Sequence, residues 1–584
     1  MAIKSQKIVA DLETTTTPGD VRAWAVCAVD IETSKTVFLS NSIATFFEWL
    51  SNKNTVCYFH NLKFDGEYLL SWLMRNGFTH SREARDNTFD TLITDMGVFY
   101  SITVIFSKQN KKYKKVTFYD SVKKLPFKVA TISKAFELAD EKLKIDYDAP
   151  RPVGHQLTPD EERYVVNDCR IVSQALKIQM DKGLVKMTNA SDAMADFMKR
   201  MGGKDYFRKW FPELPLDLDA KIRRAYKGGF VYLSPNYKGV RVPRGRTYDV
   251  NSLYPSVMYY KLLPYGYPVY FEGEYEPDPN FPLYIARINC EFELKPGHIP
   301  TIQLKNNRAF VETEYLRDSG GLPVDLTLTN VDLELFFEHY NVYNLEYDWG
   351  YKFKGKIGFF KDYIDYWMNI KETTTGAMRQ LAKLMLNSLY GKFATNPNAR
   401  QKIPMLDHDG IVRYTLDEPE VREPVYTAMG AFITAYAREK TIRNAQKLYD
   451  RFIYADTDSL HITGHEIPEN LEIHPTHLGS WKDEGAFIDS KFIRAKTYME
   501  TTEEMKPDTL REYARILNKQ FEVWREPEGI RYHHTKVTCA GMPDNVKELV
   551  TYDNFCSGST FDGKLLPRRY PGGIVLEKTT FTIK

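Results

Sequence analysis

The sequence predicts an α/β protein built from several domains. Three observations carry that prediction. The chain has 584 residues, which at ordinary domain sizes means about three to five structural units. Short apolar runs bounded by polar turns alternate with segments of helical period. Hydrophobic residues make up 43% and aromatic residues 14% of the chain, enough to fill a large core.

Composition excludes several classes. Lys and Arg number 79 against 77 Asp and Glu, and the net charge of +2 neither advertises nucleic acid nor excludes it, because binding needs only a local basic surface. Cys27, Cys57, Cys169, Cys290, Cys539 and Cys556 are scattered without a CxxC pair. Neither a zinc site nor a disulfide framework is expected, which fits a reducing compartment. Residues 1–7 hold no apolar signal core, and no apolar run reaches the roughly 18 residues of a membrane span. There is no internal repeat and no low-complexity tract.

The first strand is expected around residues 7–13, ending in a Thr-rich turn. Asp11 and Glu13 lie two apart and so share a strand face. Residues 24–30 read as the next strand. The stretch 58–66 contains His60, Asn61, Phe64 and Asp65 and leads into a helical pattern; Asn61 and Asp65 are one helical turn apart. A further helix begins after Thr158, with Pro159 as first residue and Glu161 as reciprocal partner of a capping box. Tyr164 and Asp168 then fall on one face. Each piece alone reads equally as a strand-end acid, a surface Asp or a wet helix face. Four acids and a Tyr together would suit hydrolysis by two metal ions about 3.5–4 Å apart, although spacing along the chain does not bring them together. The Lys-rich stretch 108–115 is expected as a solvated hairpin tip, with phosphate contact as the sharper alternative.

Tyr226-Lys227-Gly228-Gly229 follows a basic run; its glycines permit a turn, a bulge or close approach to a ligand. Asp249 stands at a strand end before a turn. Residues 261–358 read as a mixed insertion without chemistry of its own. Residues 360–393 read as helix, broken near 373–376, with Gly391 as C-terminal cap. Arg379, Lys383, Asn387 and Tyr390 form one stripe, normally a wet face. Here the stripe runs from basic to amide to aromatic, which would suit a triphosphate, a sugar and a base. Residues 401–416 read as a hairpin turning at Asp407-His408-Asp409-Gly410.

Tyr454-Ala455-Asp456-Thr457-Asp458-Ser459 lies between two apolar runs, as a hairpin should. Asp456 and Asp458 are two apart, so their carboxylates are expected to meet. Two such anions repel unless a cation, for which Mg²⁺ is suited, lies between them; a solvated acidic turn is the plain alternative. Lys496 and Tyr498 are expected on one strand face, residues 503–525 as a charged and partly helical segment, and the last residues, with Pro567, Pro571, Gly572 and Gly573, as a loop-rich ending.

Together these motifs resemble a family B DNA polymerase, most closely the protein-primed, strand-displacing type of the small Bacillus podophages, the phi twenty-nine type. The palm motifs of that family correspond to Asp249-Val250-Asn251-Ser252-Leu253-Tyr254-Pro255, Lys383-Leu384-Met385-Leu386-Asn387-Ser388-Leu389-Tyr390-Gly391, the 454–459 hairpin and Lys496-Thr497-Tyr498. Its exonuclease motifs correspond to Asp11-Leu12-Glu13, Asn61-Leu62-Lys63-Phe64-Asp65 and Tyr164-Val165-Val166-Asn167-Asp168, and Tyr226-Lys227-Gly228-Gly229 lies between the two sets. The resemblance extends to Phe581-Thr582-Ile583-Lys584. Val122 stands where the family has Leu after Ser121, Arg379 where it has Lys, and the region 503–528 is longer.

The resemblance implies an RNase H-like 3′→5′ exonuclease domain (1–189) and a right-hand polymerase. The latter would comprise palm (190–260 and 427–530), fingers (359–394) and thumb (531–584). Two insertions are implied: 261–358, contacting priming protein and DNA, and 395–426, for strand displacement and processivity. Asp249, Asp456, Asp458 and the Val250 carbonyl would hold the polymerase metals. Lys371, Arg379 and Lys383 would take the triphosphate, Tyr254 would exclude a 2′-hydroxyl, Asn387 would support the site and Tyr390 would line the nascent pair. In the exonuclease, Asp11, Glu13, Asp65 and Asp168 would bind metal, Tyr164 would orient water, and Lys142 matches a catalytic Lys. Thr14, His60, Asn61, Phe64 and Ser121 would contact the frayed 3′ end. Tyr226, Gly228, Gly229, Arg438, Lys496 and Tyr498 would contact DNA. The implied cofactor is Mg²⁺, two ions per site, with Mn²⁺ as substitute. The implied partners are primer-template and single-stranded DNA, deoxynucleoside triphosphates and a terminal priming protein bound as a heterodimer. The chain would otherwise be a monomer, without membrane contact, in the cytoplasm of an infected bacterium. A nuclease with a vestigial polymerase half and a non-catalytic DNA-binding scaffold are the competing readings. The intact carboxylates argue against both.

Overall fold

The computed structural model describes residues 5–109, 112–303, 315–506, 523–526 and 529–584. Most of the 503–525 segment expected to be charged and partly helical, and the very tip of the Lys-rich hairpin, lie outside them. Three larger sheets of eight, nine and four strands organise the chain.

In the eight-stranded sheet, strand Gln6–Thr14 runs antiparallel to Ala23–Asp30 and parallel to Thr55–Phe59. A strand with parallel neighbours is usually buried on both faces, and here it is. Ile8, Ala10 and Leu12 pack with Phe46, Leu69 and Leu70 on one side, while Val9 packs with Tyr164, Val165 and Val172 on the other. Alternation therefore turns Asp11 and Glu13 toward the helix Pro159–Asp181. That helix starts with the expected capping box: Thr158 accepts from the Glu161 N–H, and the Glu161 carboxylate accepts from the Thr158 N–H.

The nine-stranded sheet has Gly245–Val250 near its middle, flanked by Ser459–Thr463 and Trp481–Arg494. Phe452–Asp456 and Ser459–Thr463 form the expected acidic hairpin. Helices Lys361–Thr373 and Gly376–Ser388 pack on each other beside this sheet. Gly376, at φ +55°, supplies the break between them. The cap expected at Gly391 is a correction. The second helix ends at Ser388, and Gly391 lies inside a further short helix, Tyr390–Phe393. Strand Gly529–Cys539 pairs with Thr497–Lys506 along its length, so the expected palm–thumb boundary at 530/531 cuts through one strand. The four-stranded sheet, made by residues 263–356, has a core of its own around Ile288, Leu328 and Phe336.

The ending is not loop-rich. Thr560–Tyr570 and Gly573–Thr582 make a long hairpin turning at Pro571 and Gly572. Pro567 is tolerated there because a two-stranded ladder leaves one edge of each strand unpaired. The hairpin reaches the N-terminal domain: Arg569 pairs with the buried Glu67 at 2.8 Å, and the Tyr68 hydroxyl donates to the Ile574 carbonyl. The hairpin Lys402–Leu406/Val412–Leu416 also arrives there; Arg569 lies over the Tyr414 ring, and Arg75 donates to the Gly410 carbonyl at 3.0 Å. Two hairpins far apart in sequence thus meet around one helix, Leu62–Arg75. No helix among the described residues is long and apolar enough to cross a membrane.

Candidate active sites

The first site grows from the acidic hairpin. Thr457 has φ +62° and donates its N–H to the Phe230 carbonyl at 2.6 Å. Gly229 packs against this turn; a Cβ there would lie 2.6 Å from Thr457 Oγ1. The Tyr226–Gly229 motif is therefore glycine-ended because it abuts the acidic turn. The two acids act on each other as expected, since the Asp456 charge helps to raise Asp458, although the left-handed residue between them ends the two-residue strand period. Asp456 also accepts from the Tyr454 hydroxyl at 3.3 Å and from Lys496 Nζ at 3.1 Å. The carboxylate facing Asp458 is Asp249, at the end of the neighbouring strand. Burial, then the charge of Asp458, pushes Asp249 up to about 7. Asp458 is raised by burial and by Asp456. Two acids held in a mutually unfavourable state fit a site meant for a cation.

A cavity of about 340 Å³ opens beside them. Its lining gathers Asp249, Val250, Ser252, Tyr254, Lys371, Lys383, Asn387, Tyr390 and Asp458. The Tyr254 and Tyr390 rings stack, centroids 3.9 Å apart. Lys371 Nζ donates to Ser252 Oγ at 2.8 Å, and Arg379 donates to the Lys371 carbonyl at 2.9 Å. Burial, then Lys383 and Arg379, lowers the Lys371 ammonium below its ordinary value. Three crowded cations form a receptor for a polyanion.

The second site lies between the N-terminal strand and the helix Pro159–Asp181. Burial and the Asp168 charge raise Asp11 to about 7, and Glu13 and Asp65 are pushed well above the carboxylate range by burial and then Asp11. The acids of three motifs thus act on one another. Burial opposes the Lys142 charge, but Asp168 outweighs it and raises the ammonium. Lys142 bridges Asp168 and the Tyr164 hydroxyl, and Tyr147 bonds Tyr164 at 2.5 Å. The other oxygen of Asp168, Oδ1, is buried without a partner. An orphaned carboxylate oxygen beside two repelling acids suits a divalent cation. Among the described residues, no three His, Cys, Asp or Glu side chains enclose a metal by themselves. Mg²⁺ commonly uses one or two carboxylates and leaves the rest of its shell to water and phosphate.

The expected DNA contacts divide. Asn61 is exposed, Thr14 and Phe64 are half-buried, and all three flank the acids on their own elements. Gly228 is exposed and Tyr226 partly so. Ser121 is a correction: it is fully buried and its hydroxyl meets His60 Nδ1 at 2.9 Å, while His60 Nε2 meets the Phe127 carbonyl at 2.7 Å. Both residues brace the loop that carries Asn61. Arg438 is a second correction, only 2% exposed. It grips both oxygens of Asp332 at 2.7–2.8 Å and donates to the Lys227 and Gly228 carbonyls. It holds the Tyr226–Gly229 segment and has no face left for phosphate. Lys496 is not on a strand beside Tyr498; it occupies a left-handed turn at φ +57°, exposed, with its N–H on the Tyr454 hydroxyl. Tyr498 packs between Tyr454 and Phe492. Tyr147 and Ser252 were missed as candidates. Nothing local marks Tyr147, whereas Ser252 lies inside a motif already quoted.

A family model described as DNA polymerase type B, organellar and viral, matches residues 48–154 and 150–474. The DNA polymerases of Bacillus phages Nf and phi29 are each 46% identical to this chain over 576 residues, which is 98% of it and 99% and 98% of theirs. The DNA polymerase of Streptococcus phage Cp-1 is 33% identical, covering 98% of each chain. Phi29 DNA polymerase solved with primer-template DNA, and with primer-template DNA and incoming nucleotides, matches at TM-scores of 0.92 and 0.91 with 45% identity. Each match covers 99% of this chain and 100% of that one. With acids, cations and paired tyrosines gathered in one cavity, and with matches that run the length of the chain, the protein belongs to the type B DNA polymerases.

Proposed function

We propose that this enzyme copies a viral genome by template-directed, protein-primed, strand-displacing synthesis and edits with its own 3′→5′ exonuclease. The observation that carries the reading is the cavity in which Asp249 and Asp458 face Lys371, Lys383 and the Tyr254–Tyr390 stack. In this reading the nine-stranded sheet is the palm, the helix pair 361–388 the fingers, the C-terminal hairpin part of the thumb, and the N-terminal domain an RNase H-like exonuclease. Asp249 and Asp458, with the Val250 carbonyl, would hold two Mg²⁺, and Asp11, Glu13, Asp65 and Asp168 a second pair. Such ions activate the attacking oxygen and stabilise the leaving one. Lys371, Arg379 and Lys383 hold the triphosphate. Tyr254 and Tyr390 fix the sugar and base. Lys496 and Tyr498 grip the primer. At the editing site, Lys142 and Tyr147 orient the Tyr164 hydroxyl toward an attacking water. The insertion 261–358 would receive the terminal protein, consistent with exposed Tyr267, Tyr270 and Tyr343, in the cytoplasm of the infected host. Relatives solved with single-stranded DNA, primer-template DNA and nucleotides support the same ligands here.

Primer extension with labelled deoxynucleotides and Mg²⁺, beside degradation of a labelled single strand, tests the reading. Degradation without extension would leave a nuclease, and loss of both a DNA-binding scaffold.

Two outcomes follow from particular residues. Tyr254→Val should weaken discrimination against ribonucleotides by roughly 10- to 100-fold, the scale on which pocket shape rejects one added group. An unchanged ratio of ribo- to deoxynucleotide incorporation would remove Tyr254 as the steric gate. Replacing residues 401–416 with a Gly-Ser linker should leave addition of one nucleotide nearly intact. It should sharply reduce extension through a downstream duplex and shorten products under a DNA trap. The hairpin touches the N-terminal domain and Arg569, and its acids serve the turn: Asp407 accepts from the Asp409 and Ile411 N–H groups. Unchanged displacement and product length would refute a strand-separating role.

A further inference from the structure

A lysine outside every motif lines a second cavity that adjoins the proposed triphosphate site and shares Asp249, Lys371 and Lys383 with it. Lys482 lies on strand Trp481–Arg494 and pairs directly with Asp249 across the antiparallel ladder. Paired residues project to the same face, so the ammonium stands beside the carboxylate that faces Asp458. It lines a cavity of about 500 Å³ whose other wall carries Lys371, Arg379 and Lys383. Its salt-bridge partner is Glu484, two residues along the same strand; the side chains are 43% and 41% exposed. An ion pair this wet is weak and exchanges readily for a stronger anion.

The placement is unusual for a solubilising lysine. Its stretch of the strand is laddered to Gly245–Val250, the strand that carries Asp249, while the pairing with Thr497–Lys506 begins further along, at Phe487. A cation next to a metal-binding carboxylate competes with the metal unless an anion lies between them. The three other cations of the cavity all belong to the helix pair 361–388. Lys482 alone among these four is carried by the sheet that bears Asp249 and Asp458.

We infer that Lys482 contacts the β- and γ-phosphates of the incoming nucleotide and the same oxygens in the departing pyrophosphate, leaving Glu484 to do so. The phosphate tail is then held from two walls, and the sheet-borne contact keeps its register with the carboxylates whatever the helix pair does. The reaction is unchanged: the primer 3′-oxygen bonds to the α-phosphorus, the α–β bridging bond breaks, and pyrophosphate leaves. In reverse, pyrophosphate attacks the terminal phosphodiester and regenerates the triphosphate. The inference rests on the assignment of this cavity to the triphosphate.

The test is steady-state extension and pyrophosphorolysis by the full chain carrying Lys482→Ala, Lys482→Arg or Lys383→Ala. Lys482→Ala should raise KM for the nucleotide about 10-fold, the scale of one charge-assisted hydrogen bond, with kcat within about twofold. The pyrophosphate concentration for half-maximal reversal should rise in parallel, and Lys482→Arg should restore both. An Ala variant with unchanged KM for nucleotide and pyrophosphate would overturn the inference, as would a defect erased by raising Mg²⁺, which would place the lysine's influence on the metal. If Lys383→Ala also left both constants unchanged, the cavity assignment itself would fall; if it alone raised them, only the role of Lys482 would.

Discussion

Asp458→Asn should abolish nucleotide addition while sparing degradation of a single-stranded 3′ end. Asp249 stands at the end of a strand and Asp458 sits in the turn just before the strand paired with it, and the charge of Asp458 is part of what raises Asp249 to about 7. An amide keeps the shape of the side chain but brings no negative charge to the metal. Losing a full charge at a two-metal centre removes several kcal/mol of transition-state stabilisation, on the order of a thousandfold or more in rate. The second site lies in another domain and does not share this carboxylate, so labelled-strand degradation should continue at the wild-type rate. Loss of both activities together would indicate misfolding and leave the assignment unsupported. Stability supplies an independent readout. An acid whose pKa is raised on folding favours the folded state when protonated, and that advantage is lost as pH rises from the ordinary carboxylate range through about 7. Removing Asp458 relieves Asp249, so the metal-free variant should be at least as stable as the wild type at pH 8 by thermal melting. The wild type should gain more from added Mg²⁺, because only it has the repulsion to relieve.

Asp11→Ala combined with Glu13→Ala should do the reverse. Degradation should fall by several orders of magnitude, on the same argument about charge at the metals, with extension near normal. Both acids project from Gln6–Thr14 toward Tyr164 and Asp168; burial, then Asp168, raises Asp11, and burial, then Asp11, raises Glu13. The substitutions shorten side chains whose charges are unfavourable without a cation, so the domain should remain folded. Asp168 would keep its pairing with Lys142. Persistent degradation by the purified double variant would mean that other acids perform the hydrolysis.

Much of the local architecture was legible beforehand. The capping box at Thr158 and Glu161, the one-face spacing of Tyr164 and Asp168, the acidic hairpin at 454–459 and the hairpin turning at Asp407 to Gly410 all appear where the residues placed them. These features rest on contacts between residues a few positions apart: a side chain that caps its own helix, a turn that tolerates Asp and Gly, a period of 2 or 3.6. Errors began where local grammar had no rule to apply. The C-terminal prolines and glycines read as loop although only Pro571 and Gly572 turn the chain. Gly391 read as a cap although the helix had already broken at Leu389.

The partners of the functional groups belong to another level. Asp458 faces Asp249, 209 positions earlier in the numbering of the chain, because strand register sets it there. Asp456, at the end of its strand, meets Lys496, 40 residues further along the chain. Arg438 is a buried clasp because Asp332, on a helix of the inserted region, reaches it. Ser121 is sealed by His60, and Lys482 is set beside Asp249 by a ladder pairing that no motif announces. Sequence carries the identity and charge of such side chains, and short-range sterics carry the element each occupies. Which of them meet is decided by register and packing between segments hundreds of residues apart, where burial and neighbouring charge then set what each group can do.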